Sequence, residues 1–137
     1  MTSADTSPDW AFVVSELIQA RQTVLPKRLV EPGPDAGQTQ AILAAAAAAP
    51  DHMQLLPWRF ILVPAGQRAT LAEVFARALS ERDPQATPEQ LAQAREKAFR
   101  APLLLLAVVD GARGDPEVDL NERILSAGCA VQNMLLM

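Results

Sequence analysis

Few residues in this 137-residue chain are of types that do chemistry unaided, and the single histidine, His52, is the first to weigh. It follows Asp51 within the stretch Leu43 to Val63, LAAAAAAPDHMQLLPWRFILV. An imidazole there can serve a function, or it can simply bond nearby backbone. One histidine makes no protein metal site without carboxylates at close range, and no zinc-type cluster accompanies it. The lone cysteine, Cys129, lies in an apolar segment with no cation beside it in sequence, which reads as a packed core thiol. Arg21 stands where it would complement a helix end, and Lys27-Arg28 reads as a solvated pair. The chain has no GxGxxG, no phosphate-cradling P-loop and no acid–base or nucleophile constellation, so neither a catalytic residue nor a metal ligand is assigned.

The elements that must position these residues are legible from spacing. Ser7-Pro8-Asp9 reads as a helix start, with a hydroxyl cap and proline at the first helical position. Trp10, Val13, Val14, Leu17 and Ile18 then form one apolar stripe, so a first helix is expected to lie on the core and end near Arg21. Prolines at 26, 32 and 34 make the next segment a stiff, extended loop. Asp35 with Gln38 has capping-box spacing for a second, alanine-rich helix closed by Pro50. A compact helix, the polar loop of Asp51 and His52, and a buried strand from Trp58 to Val63 form a natural ligand shelf. Trp58 is expected to be a core ring.

Leu71, Val74, Phe75, Ala78 and Leu79 mark a third helix, and Thr87-Pro88-Glu89-Gln90 starts a fourth, surface helix with its own capping box. Pro102 to Val109 is a continuous apolar run, expected to be a strand buried on both faces. Asp119 with Glu122 caps a last helix that is apolar nearly all round from Ile124 onward, and is therefore expected to be buried on more than one side. It runs to Met137 without a capping residue, so a partner chain or further chain is expected to complete the fold.

Length and composition bound the rest. The chain is read as one domain, residues 1–137. Half of it is apolar, with alanine the commonest residue of that half and 4% aromatic residues, so close helix packing through small side chains is expected and an aromatic nucleic-acid platform is not. A net charge of −4, from 12 Lys+Arg against 16 Asp+Glu, argues against a polyanion partner. One cysteine, no signal-peptide pattern and no long apolar run point to a cytoplasmic protein away from the membrane.

The Ala-Pro-Asp-His of Ala49 to His52 leading into Pro57-Trp58 resembles the nitroreductase family of flavin enzymes, in particular its small bacterial members. The likeness continues in Arg21-Gln22-Thr23 after an apolar helix, in Arg100-Ala101-Pro102 before an apolar strand, and in Ser126-Ala127-Gly128-Cys129-Ala130-Val131 on the last helix. The resemblance implies an α+β fold, a three-layer α/β/α arrangement around a mostly antiparallel central sheet, with C-terminal strands missing from this chain. It implies FMN as cofactor and NAD(P)H as co-substrate, reducing a nitroaromatic, quinone or similar small-molecule acceptor, in a homodimer with FMN at the interface. Arg21, Gln22 and Thr23 would hold the FMN phosphate and His52 would touch the flavin, with Lys27 or Arg28 as a further phosphate contact. Leu56 stands where the family frequently has Gln. The competing expectation is a truncated, non-catalytic relative that acts as a partner-dependent interaction protein.

Overall fold

The structure, a computed structural model, describes residues 8–137. These form five α-helices and two β-strands in the order α1 (Trp10–Ala20), α2 (Ala36–Ala47), β1 (Trp58–Leu62), α3 (Arg68–Arg82), α4 (Pro88–Glu96), β2 (Leu105–Val109) and α5 (Leu120–Leu136). The fold is α+β with an antiparallel sheet, as the sequence predicts.

Helix starts follow the predicted chemistry except at α1. Asp35 and Gln38 close a reciprocal capping box on α2, Thr87 and Gln90 do the same on α4, and Asp119 accepts from the Glu122 backbone N–H at 3.0 Å. Each such cap contributes about 1 kcal/mol by satisfying N–H groups that have no partner within the helix. In α1 the cap is Asp9, whose Oδ1 accepts from the N–H groups of Ala11 and Phe12 at 3.1 and 3.2 Å. Pro8 therefore precedes the helix instead of opening it, and Ser7 lies outside the described residues. A carboxylate competes well for this position because it also faces the positive end of the helix dipole.

Trp58 pairs with Val109 and Leu62 with Leu105, and the ladder extends through Val63 N–H to the Leu104 carbonyl at 3.0 Å. Since side chains alternate along a strand, Trp58, Phe60 and Val109 share the inner face. They meet α2 and α5 in a core of Ala46, Trp58, Ala127 and Ala130, confirming Trp58 as a core ring. Asn133 ties the two helices together by donating to the Ala45 carbonyl at 3.1 Å. A second alanine contact, Ala72, Ala76, Ala94 and Ala98, joins α3 to α4 and the turn after it. Small residues let these backbones approach closely, so the alanine-rich composition becomes a packing mode.

Three burial expectations are corrected. No residue of α1 is buried, and Trp10 is 66% exposed. Strand β2 is not buried on both faces: on the outer face Ile61 and Leu106, which are cross-strand partners, are 43% and 51% exposed. Helix α5 is buried along one side only, through Arg123, Ser126, Ala127 and Ala130, while Leu125 is 70% exposed and Cys129 is exposed instead of packed. Periodicity groups residues onto a face; among the described residues nothing covers these faces.

Between α3 and α4, Arg95 grips Glu73 with two hydrogen bonds, at 2.8 and 3.1 Å. The Arg95 hydrogen bond holds the Glu73 carboxyl below the usual carboxylate range. Whatever the pair contributes is complete above the ordinary carboxylate pKa and is lost as pH falls through the lowered folded value. An NMR titration of the Glu73 carboxyl is expected to show a depressed midpoint that returns toward the ordinary value in Arg95→Gln.

Candidate functional site

Arg21 is the residue at which α1 stops. Its backbone turns to extended geometry, with ψ of 126°, and the chain stays out of helix until Pro26. In an extended segment residues two apart share a side. Arg21 and Thr23 accordingly meet, with Arg21 Nη1 donating to Thr23 Oγ1 at 3.2 Å. Gln22 lies between them, exposed, and makes no side-chain hydrogen bond among the described residues. Arg21 is half-buried and forms no ion pair among the described residues. The pair therefore offers a fixed positive charge with unused N–H donors, beside a hydroxyl whose hydrogen is free, which is a donor set for an oxyanion.

Lys27 lies elsewhere. It sits in a short 3-10 turn, Pro26–Arg28, and lines a cavity of about 360 Å³ with Leu29, Glu96, Phe99 and Arg100. Arg100 and, more weakly, Lys27 hold the Glu96 carboxyl below the usual range. The positive charge of Lys27 thus faces an acid of α4, and no hydrogen bond joins it to Arg21 or Thr23.

His52 is tied to α5. Its Nδ1 is 3.2 Å from Glu122 Oε1, a contact spanning 70 residues of sequence, so the ring bonds a side chain and not nearby backbone. Both groups are about half exposed, and Nε2 is left for another partner. The loop beneath is unusual. Met53, Gln54 and Leu56 all have positive φ, at 60°, 52° and 46°, without being glycine. Each such residue costs of order 1–3 kcal/mol and persists only where surrounding structure imposes it. Here Asp51 Oδ2 accepts from the Leu56 N–H at 2.5 Å, Pro57 is fully buried, and its carbonyl accepts from Asp110 at 2.6 Å. The strain is concentrated beside His52, in the loop expected from the sequence to act as a ligand shelf.

Sequence reasoning missed Glu122 as the partner of His52, although its capping position with Asp119 pointed at this turn. It also missed two buried arginines. Arg68 donates to the carbonyls of Val63, Ala98 and Pro102 at 3.0, 2.8 and 3.2 Å, joining the segments that follow β1 and precede β2. Arg123, 1% exposed, donates to the carbonyls of Val118 at 2.9 Å, Asp115 at 2.6 Å, Asp110 at 3.5 Å and Arg113, and so shapes the loop before α5. No sequence signal separates these from surface arginines.

Residues 18–137 match the family model described as "Nitroreductase family". The chain is 38% identical over 107 residues to an Escherichia coli protein named "Putative NAD(P)H nitroreductase YdjA", a match covering 78% of this chain and 57% of that protein. It is 36% identical over 113 residues to a Haemophilus influenzae protein of the same family name, covering 80% of this chain and 59% of that one. The chain thus spans less than two thirds of the length of these relatives. Its fold is similar to that of a Bacteroides fragilis nitroreductase with bound FMN, at TM-score 0.65 and 23% identity, over 90% of this chain and 62% of that one. With the family model matched over residues 18–137 and relatives at 36–38% identity over most of its length, the chain belongs to the nitroreductase family.

Proposed function

We propose that this chain carries the phosphate anchor and the flavin-contacting loop of an FMN-dependent, NAD(P)H-driven oxidoreductase. The observation that carries the reading is Arg21: a half-buried guanidinium, free of carboxylates among the described residues and joined to Thr23 Oγ1 at 3.2 Å. A planar, permanently charged fork with an adjacent hydroxyl suits a phosphate monoester dianion. The donor set fits FMN, which supplies the hydride chemistry when bound. Gln22 lies between Arg21 and Thr23 in the same extended segment and borders the anchor. His52, whose Nδ1 lies 3.2 Å from Glu122 Oε1, would contact the flavin through its remaining nitrogen, Nε2. Neither residue needs to act as acid or base.

The acceptor is proposed to be a small nitroaromatic or quinone. The assembly is proposed to be a homodimer in the cytoplasm, with the apolar faces of α1 and α5 as its interface. Trp10, Phe12, Ile18, Ile124 and Leu125 are all roughly half or more exposed, which is more apolar surface than a monomer usually leaves wet. No described helix is long and apolar enough to cross a membrane.

The test is anaerobic addition of NADH or NADPH to the FMN-mixed, gel-filtered chain. The reading expects the oxidised-flavin absorbance to bleach with at least one nucleotide and to return when a quinone is added. A flavin that stays oxidised with both nucleotides would rule the oxidoreductase reading out.

A further inference from the structure

Glu122 reaches His52 across 70 residues of sequence, and both ends of that contact are held by structure. On the α5 side, Asp119 Oδ1 accepts from the Glu122 backbone N–H at 3.0 Å. The next residue, Arg123, is buried and donates to the carbonyls of Val118, Asp115, Asp110 and Arg113. On the other side stands the loop in which Met53, Gln54 and Leu56 hold positive φ and Asp51 Oδ2 accepts from the Leu56 N–H at 2.5 Å. The 3.2 Å contact between Nδ1 and Oε1 therefore joins two constrained backbones.

That contact has a direction. An ionised carboxylate only accepts, so in a neutral imidazole the hydrogen belongs on Nδ1 and the free lone pair on Nε2. Among the described residues this is the only side-chain hydrogen bond of either group, and the His52 side chain is 57% exposed, so Nε2 is open to a ligand. A nitrogen with a lone pair takes a hydrogen from its partner. It suits an N–H or O–H and not a bare carbonyl or phosphate oxygen.

We propose that Glu122 is a positioning residue that holds neutral His52 as its Nδ1–H tautomer, so that Nε2 accepts a hydrogen bond from an N–H or O–H of the bound ligand. That the ligand is FMN rests on the reading given above, and the tautomer does not. In oxidised FMN the hydrogen comes either from the imide N–H of the ring or from a ribityl hydroxyl.

The test is long-range proton–nitrogen NMR of the full 137-residue chain at about pH 9, above the ordinary imidazole range. His52 is the only histidine, so its ring nitrogens are read without ambiguity. The free protein is expected to show a protonated Nδ1 and an unprotonated Nε2. Glu122→Gln, whose amide oxygen still accepts, is expected to keep that pattern, and Glu122→Ala to lose it in favour of Nε2–H. The side chain is about half exposed and both variants keep the backbone N–H that Asp119 caps, so the urea midpoint is expected to stay close to the parent's. Added FMN is expected to shift the Nε2 resonance without protonating it. Glu122→Ala is expected to weaken FMN about 3- to 10-fold and Glu122→Gln less than about 2-fold. FMN methylated on the imide nitrogen separates the two donors, abolishing the Nε2 shift if the ring donates and preserving it if a hydroxyl does. Arg21→Ala is expected to weaken FMN and leave the tautomer of the free protein unchanged. The proposal is overturned if the free parent carries Nε2–H, if Glu122→Ala keeps the parental tautomer, or if FMN protonates Nε2. A chain that shows the Nδ1–H tautomer and binds no FMN overturns the flavin reading and upholds the assignment of Glu122.

Discussion

Arg123→Ala is expected to destabilise the fold by about 3–5 kcal/mol, seen as a large fall in the urea midpoint with little change in slope. The side chain is among the most buried in the protein, yet its partners are backbone carbonyls, not acids: Val118, Asp115, Asp110 and Arg113. Each buried carbonyl left without a donor costs about 1–3 kcal/mol, and the truncated side chain leaves a cavity besides. Arg123→Lys discriminates charge from geometry. A single ammonium cannot fork to so many carbonyls around one loop, so the lysine variant is expected to recover only part of the loss. Recovery of full stability by lysine would show that charge alone matters there.

That arginine also marks the limit of what the sequence discloses. Capping boxes at Asp35–Gln38 and Thr87–Gln90 are local, spanning three residues, and both are realised as read. Trp58 opens a strand and enters the core as its flanking prolines and apolar run predict. What the sequence does not disclose depends on partners far away in the chain. Arg68 finds its carbonyls 30 and 34 residues on, and His52 finds Glu122 after 70. Helix α1 was visible as a stripe, β2 as a continuous apolar run and α5 as apolar nearly all round, but an apolar pattern carries no record of what lies against it. Cys129 is exposed for that reason, on the uncovered side of α5. The positive φ values at Met53, Gln54 and Leu56 break the glycine rule, and only the surrounding bonds to Asp51 and Pro57 account for them. Family likeness implied Arg21 and Thr23 as phosphate holders and not as partners of each other; their hydrogen bond has the extended backbone between them as its physical reason.

Arg21→Ala is expected to weaken FMN binding by roughly 30- to 150-fold, corresponding to about 2–3 kcal/mol for a charged hydrogen-bond donor facing a dianion. Because Arg21 is joined only to Thr23 among the described residues, its removal strands no buried carboxylate. Folding stability is therefore expected to change by less than about 0.5 kcal/mol, so the loss can be assigned to binding. Thr23→Val removes one neutral donor and is expected to cost about 3- to 10-fold. Gln22→Ala is expected to cost less than about 2-fold, since alternation along the extended segment turns that side chain away from the other two. A loss at Gln22 equal to that at Arg21 would place all three on one ligand-facing surface and contradict this geometry. Arg21→Lys keeps the charge and loses the fork, and an intermediate affinity is expected.

The central claim is that Arg21 and Thr23 form a working phosphate anchor within this chain, and a visible absorption spectrum tests it most directly. The purified 137-residue protein is mixed with FMN, freed of unbound flavin by gel filtration, and measured beside Arg21→Ala treated in the same way. The account predicts a flavin band that co-elutes with the parent protein and is lost from the variant. A colourless parent, or a variant that retains as much flavin as the parent, would contradict it.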